Sequence, residues 1–330
     1  MILRNKNVEI KVKHFGIIFV VIAIFFGCQL GTRIQGEYYL NQEKYDEGIK
    51  KFDEKLKTDS FDASANYYMA RYLLALNRPK GAYPYIKEAV SLDFKNADYH
   101  FWLGVCYHGL KRYQEERKSY LKAVEFNNRH GTAYLYLGHS YLENGQWANA
   151  LGAYGKVLEI DKDQPQAMYN RGLALNKLHR FAEEIAAWKN YLKVYSEGGW
   201  AIQAIDHLNA RGNFDYRNYF IGYRRVPVKK MKFEGTTSIL TNMTKSSIDI
   251  IGSIMSINKK IDLRIVGYKN GNKSLAKKRA TNIKEYLITN YPEIDSSRLT
   301  IEGVGRPEKI TINWKIFSVD DSTNLITVKK

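Results

Sequence analysis

Small and aromatic residues recur along the first 200 positions of this chain with a period of 34. Gly36, Ala70, Gly104, Gly138 and Gly172 stand in register. Twelve positions on come Gly48, Ala82, Glu116, Ala150 and Glu184, and four beyond those come Phe52, Ile86, Tyr120, Tyr154 and Trp188. A period of that length is one helix-turn-helix unit, which cannot bury its apolar face alone and is stabilised by stacking on its neighbours. The register predicts five antiparallel helix pairs over residues 29–198. In each, a Gly or Ala on the first helix is expected to face a small residue on the second, with large side chains filling the gaps. Leu137, Gly138, Tyr141, Gly145, Trp147, Ala150 and Tyr154 show the alternation best. Trp200 to Leu208 has the spacing of one more helix, placed to cover the apolar face of the last unit.

Beyond residue 210 the pattern changes. Residues 211–227 mix glycine, aromatics and arginine without a helical period and read as a linker, leading into an extended segment near Val228–Phe233. Helices are then predicted over Met243–Ser256 and Ser274–Thr289, and strands over Ile261–Tyr268 and Leu299–Val304. One or two further strands are expected within Ile310–Val319 and Leu325–Val328. Strand-helix-strand order with crossovers of this length predicts a mixed sheet with helices on one face. The chain therefore reads as multidomain: an all-α solenoid over 29–210, a linker over 211–227 and an α+β domain over 228–330.

The 34-residue register resembles the tetratricopeptide repeat. That resemblance implies a superhelix whose concave groove is lined by the first helix of each unit, at Tyr67, Arg71, Phe101, His108, Leu135, His139, Tyr169 and Asn176. These positions mix aromatic and polar residues, which suits a protein partner offering an extended or helical segment with apolar anchors. The same rings also suit bracing one repeat against the next.

The C-terminal stretch LRIVGYKNGNKSLAKKRATNIKEYL, followed by SSRLTIEGVG, resembles the peptidoglycan-associating domain of the OmpA family over about residues 226–330. The matching features are Gly267, Asn272, the Leu275 to Arg279-Ala280 segment, Arg298-Leu299, Gly303 and Gly305, with Asn313 at the asparagine before the family's last strand. In that family an Asp after the central strand's glycine and an Arg of the second helix hold the charged ends of a diamino acid of the wall peptide, a pairing that needs opposite charges close together. Arg279 matches the arginine. Asn270 stands where the Asp is expected, with Asn272 beside it, and Trp314-Lys315 replace a pair of arginines. The resemblance thus leaves two readings open, wall binding and a protein-docking module.

Charge sharpens the division. Residues 211–330 carry 23 basic and 11 acidic residues, a net of +12, against +17 for the whole chain. A field of that sign attracts polyanions. At the other end, four basic residues precede the apolar run Gly16–Gly27 and then Cys28. Twelve residues of helix span about 18 Å, short of a bilayer core, so the run reads as a secretion signal. Gly27-Cys28 resembles the lipobox of bacterial lipoproteins, which implies lipidation at Cys28 in a 1–28 anchor segment; an uncleaved membrane anchor is the alternative. Either way the expected place is the periplasmic side of a bacterial envelope, the outer membrane in the lipidated case. Cys106 reads as a small core hydrophobe. The sequence shows no HExxH, nucleophile elbow, P-loop or GxGxxG. The expectation is a non-catalytic adaptor with no cofactor, no metal and no nucleic-acid partner, or alternatively an envelope assembly chaperone or secretion component.

Overall fold

The computed structural model describes residues 30–329, and Cys28 with the apolar run before it lies outside them. The chain divides into two compact units at Asp161/Lys162. The first unit is all helical: α1 over residues 30–41, then α2 (Tyr45–Thr58), α3 (Ala63–Ala75), α4 (Pro79–Leu92), α5 (Ala97–Gly109), α6 (Tyr113–Phe126), α7 (Gly131–Glu143) and α8 (Trp147–Ile160).

The repeated glycines are where the helices touch. A Cβ on Gly104 would lie 2.4 Å from the ring of Tyr120, and one on Gly138 would lie 2.6 Å from that of Tyr154. Both tyrosines are fully buried. Gly104, Gly138 and Gly172 therefore lie under the aromatic ring sixteen positions later, and Gly36 lies under that of Tyr68 in the next pair, not against the small residue at twelve as the pattern suggested. The reason is steric: only a side chain of zero length leaves room for a flat ring between two helix backbones.

Two further features keep the same period. Asp62, Asn96, His130 and Gln164 each accept a hydrogen bond from the backbone N–H three residues on, capping the first helix of a unit. Glu43, Asn77, Lys111, Gly145 and His179 all have positive φ, between 54° and 71°, in the turn inside each pair. The left-handed conformation closes the first helix and reverses the chain.

The second unit begins with α9 (Pro165–Lys177), α10 (Phe181–Val194) and α11 (Gly198–Ala210). In α10, Glu184 occupies a position held by Gly or Ala in three of the five units, and it is fully buried. It accepts hydrogen bonds from Asn176 Nδ2 at 2.7 Å and from Trp188 Nε1 at 3.3 Å. His207 and Arg211, at the end of α11, reach it at 3.3 and 3.1 Å. The covering helix is thus locked to the fifth pair by one buried carboxylate.

Residues 211–227 are not a linker. They form most of a hairpin, β1 (Tyr216–Ile221) and β2 (Arg224–Lys229), reversing at Gly222 with φ +65°. Tyr219, Ile221, Val226 and Val228 point into the C-terminal core. The other side is held to α11: Asn218 Nδ2 donates to Ile202 O at 2.8 Å and to Asp206 Oδ1 at 2.9 Å, and Asn209 Nδ2 donates to Tyr216 O at 2.8 Å. The alternation of these apolar residues was hidden by the arginines and by Pro227 between them.

After the hairpin come α12 (Asn242–Ile257), β3 (Ile261–Lys269), α13 (Lys273–Asn290), β4 (Leu299–Val304), β5 (Glu308–Ile312), β6 (Lys315–Val319) and β7 (Asp321–Lys329). The central sheet has the order β4-β3-β7, with β3 parallel to β4 and antiparallel to β7. α13 sits on paired glycines of this sheet. A Cβ on Gly267 would be 2.1 Å from Ala276 O, and one on its ladder partner Gly303 would be 2.6 Å from Lys277 N. Arg298, buried just before β4, donates to Asn258 O and Ile261 O, each at 2.7 Å, and to Met255 O at 3.2 Å. It closes the C-terminal end of α12 in place of a capping residue.

Candidate functional site

Three charged residues of the C-terminal domain, Lys269, Arg279 and Asp321, meet near the junction of β3 and α13. β3 stops at Lys269; Gly271 turns the chain with φ +70°, and Asn272 Oδ1 accepts from Leu275 N at 2.9 Å, starting the helix. Asn272 is therefore a helix cap, which accounts for the residue without a ligand. Asn270 is exposed at the rim, its backbone N–H bonded to Asp320 O at 3.1 Å.

Arg279 lies two turns into α13 and is only 3% exposed. Its Nε donates to Thr237 O at 2.9 Å, its guanidinium lies 4.4 Å from the centre of the Phe233 ring, and its Nη1 is bonded to Asp321 Oδ1. The other carboxylate oxygen of Asp321 receives Lys269 Nζ at 3.2 Å. Burial would raise the Asp321 carboxyl, but the bonds from Arg279 and Lys269 outweigh it and hold it below the ordinary carboxylate range. A carboxylate thus stands beside the arginine although the expected Asp is an Asn. It comes from β7, directly across the ladder from Lys269. The signal lay in the antiparallel pairing of the last strand, which no linear motif displays.

Asn313 precedes β6 and not the last strand, β7. It forms, with Trp314, the two-residue turn between β5 and β6, at φ +49° and +64°. Trp314 is 97% exposed.

In the helical units the eight expected groove positions separate into two groups. Tyr67, Phe101, Leu135 and Tyr169 are each less than 10% exposed and belong to the packing. Tyr67 packs on the tilted ring of Tyr99 at 4.9 Å between ring centres, Phe101 meets Tyr136 edge to face at 5.3 Å, and Tyr169 stacks on Trp200 at 5.1 Å, so each braces the next helix pair. Burial pushes the Tyr67 hydroxyl up to about 12. These four are not available to a partner. Arg71, His108, His139 and Asn176 keep part of their surface. Arg71 lies 4.5 Å over the Trp102 ring and 3.4 Å from Glu37. His108 Nδ1 meets the buried Glu116 at 3.3 Å, and His139 packs against Tyr154 with its basicity lowered by burial. Cys106 is buried, its thiol pushed up to about 11 by desolvation, and it donates to Pro79 O at 3.3 Å. That is a packing environment and not a reactive one.

Comparison with known proteins follows the same division. The OmpA family model matches residues 232–316, and models of the tetratricopeptide repeat match residues 35–93, 69–130 and 138–178. BBSome complex member BBS4 of Bos taurus is 26% identical over 46% of this chain and 25% of its own length. Photosystem I assembly protein Ycf3 of Synechococcus sp. (strain CC9605) is 29% identical over 44% of this chain and 79% of its own. The chain thus spans about a quarter of the length of the first of these relatives. Among solved structures, pilF of Pseudomonas aeruginosa superposes with a TM-score of 0.51 at 18% identity, covering 57% of this chain and 86% of that one.

Proposed function

We infer that this chain, built of tetratricopeptide repeats and a C-terminal OmpA-family domain, is a non-catalytic scaffold of the bacterial cell envelope. It holds protein partners through the repeats and the peptidoglycan layer through the C-terminal domain. Two of the relatives bear names that denote membership or assembly of a protein complex, which is the kind of work proposed for the repeats. On the first unit partners engage the surface around Arg71, His108 and His139, and on the second, separately, the surface around Asn176, since the neighbouring rings are occupied in packing. Lipid attached at Cys28 tethers the chain on the periplasmic side, and two or more acyl chains at about 0.8 kcal/mol per buried CH₂ make such a tether effectively permanent.

The observation that supports wall binding is Asp321. Its carboxylate, 41% exposed beside the buried Arg279, restores the opposite-charge pair that the family uses, from a different strand. A ligand ammonium at the rim meets Asp321 and Asn270 together. Lys269 competes for the same carboxylate, so affinity is expected to be lower than with a second acid at position 270.

Co-sedimentation of the full chain with purified sacculi tests this. Asn270→Asp is expected to raise the bound fraction severalfold, and Asp321→Asn to lower it, at unchanged thermal midpoint for Asn270→Asp. If neither substitution moves the bound fraction, the wall reading fails and the domain docks protein.

A further inference from the structure

A surface distant in sequence from Arg279 carries apolar residues that the domain does not use for its core. The turn between β1 and β2 presents Tyr223, 90% exposed, with Phe220 at 61% just before it. The last residue of α12, Ile257, is 86% exposed and is followed by Asn258, Lys259 and Lys260 in the loop to β3. The two loops meet: a Cβ on Gly222 would lie 3.0 Å from Ile261 Cδ1 and 3.9 Å from Asn258 Nδ2. Large apolar side chains from two segments separate in sequence are thus gathered at one end of the domain.

Their surroundings are basic. Arg224, Lys259 and Lys260 are exposed at this end. Of the neighbouring charges, Arg225 is engaged by Asp206, and Asp262 faces the buried Arg298 at 4.0 Å. Among the described residues no ion pair engages Arg224, Lys259 or Lys260, so the loop tips carry net positive charge. A tyrosine and an isoleucine with most of their surface exposed, flanked by lysine and arginine, match the two layers of a lipid interface: an acyl boundary that accepts apolar side chains and a headgroup layer that attracts cations.

We propose that this end of the C-terminal domain docks on an anionic lipid surface, with Tyr223 and Ile257 entering the interface and Arg224, Lys259 and Lys260 paired with lipid head groups. The contact is additional to any tether at the N-terminus, and it does not rest on the wall reading, which concerns Arg279 and Asp321.

Hydrogen exchange of the full chain on vesicles reads the contact locally, whatever holds the chain at the membrane. Vesicles containing phosphatidylglycerol are expected to slow exchange in residues 220–226 and 256–261 severalfold, and phosphatidylcholine vesicles are not. Tyr223→Ser with Ile257→Ser should abolish the protection without moving the thermal midpoint, since both side chains are exposed. Each basic residue near such a surface contributes about fivefold, so Lys259→Glu with Lys260→Glu should weaken the protected state by well over tenfold. Unchanged exchange on anionic vesicles overturns the proposal. So does equal protection on zwitterionic vesicles, or protection of these segments by purified sacculi in place of lipid, which would assign the surface to the wall.

Discussion

Replacing Gly104 by Ala and, separately, Gly152 by Ala should change stability in opposite directions, although both glycines are helical and the chemical change is the same. At position 104 the new methyl would lie 2.4 Å from the Tyr120 ring, whereas ordinary contact begins at 3.4 Å. α5 and α6 must therefore separate by about 1 Å around a ring that is fully buried. Overpacking of this kind costs about 1–3 kcal/mol, partly offset by the roughly 1 kcal/mol that alanine gains over glycine within a helix. The net expectation is a loss of up to roughly 2 kcal/mol. At position 152 nothing lies within 4 Å of the new methyl. There only the helix-propensity gain remains, and about 0.5–1 kcal/mol of stabilisation is expected. Urea unfolding of the full chain, followed by helical circular dichroism, measures both. The second repeat supplies a further check, because it carries Ala70 and Ile86 in the register of Gly104 and Tyr120. Combining Gly104→Ala with Tyr120→Ile should recover part of the loss. If Gly104→Ala proves as stabilising as Gly152→Ala, the close approach of ring and backbone is not what sets the repeat.

Three other outcomes follow from single contacts. Lys111→Gly should stabilise the protein by about 0.5–1 kcal/mol, since the left-handed conformation at φ +60° costs a lysine more than a glycine; thermal unfolding checks it. Arg298→Leu should cost roughly 3 kcal/mol in chemical unfolding, because it leaves the buried carbonyls of Met255, Asn258 and Ile261 without their donor. The depressed Asp321 carboxyl contributes stability that is present above its unfolded value of about 3.9 and is lost as pH falls through the lower folded value. Asp321→Asn should therefore be destabilised relative to the wild type by about 1–2 kcal/mol at pH 6, a figure reduced for the partial exposure of the pair, and the gap should close below pH 4.

The parts of this fold that repeat were legible in the sequence, because a feature copied at fixed spacing stands out against chance. The helix pairs, the strand Leu299–Val304 and the helix before it appear where the pattern put them. The facing partners were misjudged, since a period fixes which residues are equivalent but not which of them touch. The 34-residue spacing of Glu43, Asn77, Lys111 and His179 went unnoticed because only Gly145 among the five is a residue that advertises a left-handed turn. The hairpin at 216–229 was missed for a related reason: its inward Tyr219, Ile221, Val226 and Val228 alternate with arginine, asparagine and proline in a stretch that composition alone assigns to a linker. Asp321 shows a third limit. Its role depends on lying across the ladder from Lys269, a relation between residues 52 apart that exists only once the strands are paired.

The grip of His207 and Arg211 on Glu184, together with the bonds from Asn209 and Asn218 between α11 and the hairpin, ties the last helix pair to the hairpin through α11. A protein carried on α9 and α10 would accordingly approach whatever the far end of the same unit grasps along one fixed bearing. Distance and angle between the two cargoes would then be set by the fold itself, as the arms of a square hold a corner.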